Sequence, residues 1–373
     1  GTLLGTGVAA VVAGRHAAGR ALRPARSGGA AIPAGFGEPL TVHARSAARP
    51  ERVALTRSLT AELPGVYGLT GDGVHAVVGH TLHEATHSAP ADTVVRSLLD
   101  VRGGTLVTGA AVRLSPTLHT GDPRAALGLP YDDVEIPSEL GDLPAWEVPG
   151  RRTVWVVAAH GLGTTRDQAM NVLLLLHRAG LPVLVPAYRG DPGAPKSPDG
   201  VGRLGAAEWR DLDAAVHHAV SRGASRVVLL GWSTGATMAL HVAAESALRD
   251  RISGLVLDSP VLDPDATLRA LATSRGVPRF MLPLAVRAAQ GRAGLRPEAP
   301  ALVTASDDLR TPVLIAHGPD DGIAPWAPSR DLADRRPDLV TLHRVPRAPH
   351  AAMWNADREG YEEALNRFLM PLL

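Results

Sequence analysis

Cysteine is absent from this chain of 373 residues. That excludes a disulfide scaffold, a thiolate nucleophile and a cysteine-ligated zinc. Lysine occurs once, at Lys196, so arginine carries nearly all of the positive charge. Aromatic residues make up only 3% of the chain, and 38 Lys and Arg against 37 Asp and Glu leave a net charge of +1. With no basic stripe and no interleaved aromatics, nothing draws the protein onto nucleic acid. An apolar run at residues 3–14, LLGTGVAAVVAG, is too short to span a bilayer, which takes roughly 20 residues. Arg15, Arg20, Arg23 and Arg26 follow it, and the chain starts at Gly1 without a methionine. The run therefore reads as the remnant of a membrane anchor or signal region, with a short buried helix or a tail as the alternatives. The first places the protein at a membrane, the others in the cytoplasm. Gly5-Thr6-Gly7 and Ala10 imitate a dinucleotide fingerprint, but no strand precedes them and that reading is set aside.

What is present is ordinary in bulk. Hydrophobic residues at 45% and charged residues at 20% suit a soluble globular chain, long enough for one large domain and an addition. After residues 1–40, whose second half is a linker rich in Gly, Pro and Ala, short β-like runs occur at Val53–Thr56, Val74–Val78, Val94–Leu99 and Val112–Leu114. Gly71-Asp72-Gly73 and Gly103-Gly104 separate them as turns. Residues 41–150 are expected to form a small β-rich module that contributes the first strands of the main sheet.

From residue 151 apolar strands alternate with helices. Strands are expected at Thr153–Ala159, Pro182–Ala187, Arg226–Leu230, Gly254–Leu257, Val313–Ala316 and Leu339–Val345. Helices are expected near Asp167–Arg178 and over Ala206–Arg222, Thr234–Arg249 and Glu359–Leu369. Apolar strands alternating with helices make an α/β fold, a mainly parallel sheet covered on both faces.

Gly231-Trp232-Ser233-Thr234-Gly235 is a G-x-S-x-G pentapeptide between such a strand and a helix. A sharp turn there strains the serine backbone and exposes its hydroxyl at the carboxyl end of the sheet. A serine hydroxyl needs a base, and His350, between the last strand and the last helix, is the expected one. The base needs a carboxylate to hold its tautomer, and Asp321 is preferred over its neighbour Asp320 and over Asp258. Ser, Asp, His is the α/β-hydrolase chain order. Acyl transfer also needs an oxyanion hole. The glycines of His160-Gly161-Leu162-Gly163 let the backbone approach a substrate, so the N–H groups of Leu162 and Thr234 are the expected donors.

With Tyr188-Arg189-Gly190, His317-Gly318-Pro319-Asp320-Asp321, Leu257-Asp258-Ser259-Pro260 and Met353-Trp354-Asn355-Ala356-Asp357, these motifs resemble the α/β-hydrolase series over residues 150–373. Their wording is similar to actinobacterial hydrolases of the prolyl-oligopeptidase-like and esterase-like group. The resemblance implies the α/β-hydrolase fold and hydrolase activity without a metal or organic cofactor. It puts the acid at the fifth position of H-G-x-x-D, Asp321, and a bulky Trp326 where many relatives carry a smaller residue. By the same analogy, residues 264–309 form either a cap over the site or an ordinary core helix.

His83-Glu84-Ala85-Thr86-His87 matches the H-E-x-x-H zinc motif, with His80 nearby. The alternation of Val74–Val78 and the following Pro90 favour a polar loop or strand end, which separates the two imidazoles too far for one ion. The expected activity is hydrolysis of a small-molecule carboxylic ester. A peptidase, amidase, thioesterase or lipase would use the same residues, and a non-catalytic binding protein would retain the scaffold alone. Oligomeric state is not legible.

Overall fold

The computed structural model describes residues 33–47, 50–198, 200, 202–274, 276–293 and 309–373. The apolar run at 3–14 and its glycine pattern lie outside the described residues, as do residues 294–308 of the segment read as a cap. No described helix is long and apolar enough to cross a membrane.

Strands β1 (Leu40–Ser46), β2 (Arg52–Thr56), β3 (Tyr67–Gly71), β4 (Val74–Thr81), β5 (Thr93–Gly103) and β6 (Ala111–Ser115) form a closed antiparallel barrel in the order β1-β2-β5-β4-β3-β6. Alternate side chains point inward, so Val53 and Leu55 of β2 and Val112 and Leu114 of β6 fill one core. Closure leaves no sheet edge exposed. Asp72-Gly73 makes the β3–β4 hairpin turn, with Gly71 paired to Val74 and Gly73 at φ 66°.

Between β4 and β5 lies a short helix, α1 (His83–His87). This corrects the loop or strand reading of the H-E-x-x-H segment. Thr86 turns inward there, accepting from Val95 N–H at 3.0 Å. Among the described residues no group of three or more His, Asp and Glu is gathered to hold a metal ion.

After α2 (Pro123–Leu127) the chain enters a second sheet with β7 (Asp132–Ile136) and β8 (Leu143–Val148). The module expected over 41–150 therefore divides after Ser115. β8 pairs antiparallel with a strand of the second sheet, and Leu143 and Ala145 lie in that sheet's apolar cluster. The remaining elements are β9 (Val154–Ala159), α3 (Met170–Arg178), β10 (Val183–Pro186), α4 (Trp209–Ser221), β11 (Arg226–Trp232), α5 (Thr234–Glu245), β12 (Ile252–Asp258), α6 (Pro264–Ser274), α7 (Leu282–Ala293), β13 (Val313–His317), α8 (Ala327–Arg335), β14 (Val340–Arg344), α9 (Met353–Ala356) and α10 (Arg358–Leu369).

The eight-stranded sheet runs β14-β13-β12-β11-β9-β10-β8-β7, parallel from β14 to β10. Its apolar strands split by parity. Val154, Val156 and Ala158 of β9 join a cluster with α3 and α10, while Trp155, Val157 and Ala159 join one with α4 and α5. That is why the strands show no polar alternation. From β9 the chain steps to β10 on one side, then returns to β11 on the other. The carboxyl ends of β9 and β11 therefore flank a topological switch point, where open α/β sheets bind ligands.

Candidate active site

β11 delivers Ser233 to that crevice. Its backbone sits at φ 51° and ψ −115°, outside the ordinary regions, and α5 starts at the next residue. Such strain costs on the order of 1–3 kcal/mol and persists only where the surroundings fix it. Here Ser233 N–H donates to the Asp258 carbonyl at 2.8 Å. The flanking glycines are required by contact. A Cβ on Gly231 would lie 2.4 Å from the Gly235 carbonyl oxygen, and one on Gly235 would lie 2.1 Å from that of Ala159.

His350 arrives from the loop between β14 and α9. Its Nε2 is 2.7 Å from Ser233 Oγ and its Nδ1 is 2.8 Å from Asp321 Oδ2. A proton on Nδ1 satisfies both bonds, donating to the carboxylate and leaving Nε2 to accept from the hydroxyl. Asp321 follows β13. Its Oδ1 accepts from the N–H groups of Ile323 and Ala324, both at 2.8 Å, and His317 Nε2 stands 3.1 Å from Oδ2. Burial alone would push the Asp321 carboxyl up, but the adjacent imidazoles of His350 and His317 outweigh it and hold the carboxyl well below its usual range.

The two alternative acids lie elsewhere. Asp320 accepts from Arg347 N–H at 2.7 Å on an exposed turn. Asp258, fully buried at the end of β12, accepts from Ser259 Oγ at 2.9 Å, with the Tyr361 hydroxyl beside it. Burial pushes its carboxyl up to about 8, opposed by the hydrogen bonds of Ser259, Tyr361 and the Met353 backbone and aided by the Asp321 charge.

Leu162 and Thr234 line one cleft with Gly163, Tyr188, Arg189, Asp191 and Glu208. Thr234 is the first residue of α5, so its N–H has no acceptor within the helix. Gly161 lets the loop approach the serine, since a Cβ there would be 3.1 Å from Ser233 Cβ. Helices α6 and α7 place Leu268, Leu271 and Val286 in a small apolar cluster with Ile323, against which Leu162 packs. Trp326 lies under the Arg344 guanidinium, 5.5 Å from its ring centre.

Several buried polar groups complete the site without having been singled out from sequence. Gln168 spans two of its loops: Oε1 accepts from Gly161 N–H at 2.9 Å and Thr164 Oγ1 at 2.8 Å, and Nε2 donates to the Ala351 carbonyl at 3.2 Å. Ser259 Oγ accepts from Ala351 N–H at 2.9 Å. His160 Nε2 meets Asp191 Oδ2 at 2.7 Å and its ring stacks on Tyr188 at 4.3 Å. His317 Nδ1 meets Ser329 Oγ at 2.8 Å. Gln168 and Ala351 stand 183 positions apart, so no local pattern joins them. His160 and His317 were visible as members of H-G motifs, the one signal available for either.

Known proteins agree with this architecture. A family profile described as "Serine aminopeptidase, S33" matches residues 151–299, and one described as "Domain of unknown function" matches residues 41–115. No curated protein matches the chain. Among solved structures, an esterase of Pyrococcus furiosus is similar at 21% identity and TM-score 0.56, covering 68% of this chain and 94% of its own. An esterase from Exiguobacterium antarcticum covers 64% of this chain and all of its own (100%), at 17% identity and TM-score 0.50. Est1E from Butyrivibrio proteoclasticus, with ferulic acid bound, covers 64% and 98%, at 18% identity and TM-score 0.51. The chain has the α/β-hydrolase fold, preceded by a six-stranded barrel.

Proposed function

We propose that the protein is a serine hydrolase that cleaves carboxylic esters through an acyl-enzyme. The observation that carries this reading is the unbroken hydrogen-bond chain from Ser233 through His350 to Asp321. Ser233 Oγ attacks the ester carbonyl carbon while His350 Nε2 takes its proton. Asp321 holds the imidazole orientation and stabilises the imidazolium. The N–H groups of Leu162 and Thr234 receive the developing oxyanion. His350 then returns the proton to the leaving alkoxide, and a water activated by the same nitrogen hydrolyses the acyl-enzyme. Helices α6 and α7 supply a cap, whose Leu268, Leu271 and Val286 give the site an apolar roof.

A peptidase would use the same residues, as the S33 description suggests. An aminopeptidase also needs an acceptor for the substrate ammonium. Among the described residues, the carboxylates lining the cleft are already engaged: Asp191 with His160, and Glu208 with the N–H groups of Arg203 and Gly205 at 2.7 and 3.0 Å. That favours the ester. The test is turnover of p-nitrophenyl esters of increasing acyl length by wild type and Ser233→Ala, with and without a chelator. Hydrolysis lost in Ser233→Ala and indifferent to the chelator is expected. A folded wild type that cleaves peptide substrates and no ester would replace this reading with the peptidase.

A further inference from the structure

The barrel supplies no group to the proposed chemistry, yet it is fastened to the segment that carries His350. Ala352 is buried among the apolar side chains of the barrel core. Asn355, also buried, is held by barrel-side backbone from two directions. Its carbonyl accepts from Val66 N–H at 2.9 Å, and its Nδ2 donates to the carbonyls of Val66 and Pro116, both at 2.9 Å. The approach is close enough to need a glycine: a Cβ on Gly65 would lie 1.9 Å from the Asn355 carbonyl oxygen. Just ahead of β1, Gly35 packs on the histidine itself, and a Cβ there would stand 3.3 Å from His350 Cβ.

The loop that grips Asn355 is organised in turn by Arg96. This side chain is fully buried inside the barrel module. Its guanidinium donates to the carbonyls of Gly79 at 2.8 Å, Ala61 at 2.9 Å, Leu63 at 2.7 Å and Gly65 at 2.8 Å. It also lies 5.6 Å from the centre of the Tyr67 ring. A buried guanidinium bonded to backbone carbonyls is a costly way to gain stability. It is an effective way to fix the shape of a loop, because the planar fork sets four bond directions at once.

The geometry points to the barrel as a clamp that sets His350, with Asn355 as the positioning residue through which it acts. This rests on reading Ser233, His350 and Asp321 as the triad. His350 must keep two bonds below 3 Å at once. Its own loop is poorly suited to hold it, since Arg347 and Ala351 sit at φ 57° and 53°, conformations that non-glycine residues avoid. A misplacement of about 1 Å costs on the order of a hundredfold in rate.

Asn355→Ala in the full chain removes the two side-chain bonds and keeps the backbone one. It is expected to lower kcat on a p-nitrophenyl ester about 10- to 100-fold with KM within about twofold, and to move the acid limb of kcat/KM against pH as His350 loosens from Asp321. Leu69→Ala, a cavity in the barrel core, should lower Tm yet leave kcat and the pH profile unchanged. Asn355→Ala with wild-type kcat and profile overturns the clamp, and so does a Leu69→Ala that loses kcat equally. Should Asn355→Ala fail to fold, hydrogen exchange of the wild type decides. Coupling is reciprocal, so phosphonylating Ser233 should slow exchange of the peptide containing Val66. Unchanged exchange then overturns the clamp. Hydrolysis surviving Ser233→Ala sinks the triad reading itself, whereas an inactive Ser233→Ala beside an unaffected Asn355→Ala removes only the clamp.

Discussion

The ends of β12 and β13 lie side by side, and each leads to a buried carboxyl in a different state. Asp258 closes β12, opposite Ala316 of β13, and is pushed up to about 8. Asp321, in the turn after β13, is held well below the usual carboxylate range. Burial acts on both in the same direction. Partners make the difference. Asp321 has two backbone N–H groups and two imidazoles on its oxygens, whereas Asp258 has neutral hydroxyls, those of Ser259 and Tyr361, and no imidazole. Burial beside imidazoles keeps a carboxylate charged, and burial beside neutral hydroxyls and a like charge keeps the group neutral.

The largest expected break in this comparison is Asp321→Asn. An amide in place of the carboxylate favours the wrong His350 tautomer, and kcat should fall roughly 10⁴-fold while circular dichroism stays native. In the wild type, Asp321 remains ionised far into the acid range. The Asp321 contribution to stability is present above its unfolded value of about 3.9 and is lost as pH falls below it. Acid melts should show this as a cooperative loss that Asp321→Asn reduces.

Gln168→Ala comes next. It strands the Gly161 N–H and the Ala351 carbonyl and unties the two loops on either side of Ser233. A loss of roughly 10- to 100-fold in kcat and of about 1–3 kcal/mol in stability is expected from kinetics and urea melts.

Asp258→Asn probes the other carboxyl. Between about 3.9, its unfolded value, and about 8, the folded state holds one more proton than the unfolded state. This group therefore makes stability fall as pH rises through that window. The asparagine removes the dependence, so the variant should gain stability over wild type at pH 8, by roughly a few kcal/mol, and little at pH 4. Paired Tm series at pH 4, 6 and 8 check the sign. A wild type whose Tm difference from the variant is constant with pH would place the proton elsewhere.

Asp320→Ala should do least. Its bond to Arg347 N–H lies on an exposed turn. Stability should change by about 1 kcal/mol or less, with kcat within about twofold.

The eight-stranded sheet was well legible in the sequence because its strands are apolar on both faces and its glycines mark obligatory close contacts. Gly231 and Gly235 admit no Cβ, and such positions are legible without a structure. Strands β7 and β8 were less so. β7, DDVEI, is acidic at its start and buries only Ile136, which makes an edge strand read as loop. β1 and β3 escaped notice because Leu40–Ser46 ends in exposed residues and Tyr67–Gly71 carries glycine at both its second and last positions. At the site, adjacent aspartates could be ranked from the motif, but their surroundings could not. What separates Asp321 from Asp258 is a set of donors from its own turn, from the end of β13 and from the β14–α9 loop, and what ties Asn355 to the barrel spans 289 positions. Pairings of that range leave no periodic trace in a single chain.

The most direct test of the account is the site of covalent capture by a fluorophosphonate, read by intact mass and peptide mapping of the wild type, Ser233→Ala and His350→Ala. One adduct on Ser233 is predicted, absent from Ser233→Ala and formed far more slowly in His350→Ala. An adduct on another residue, or capture of Ser233 at the wild-type rate without His350, would contradict it.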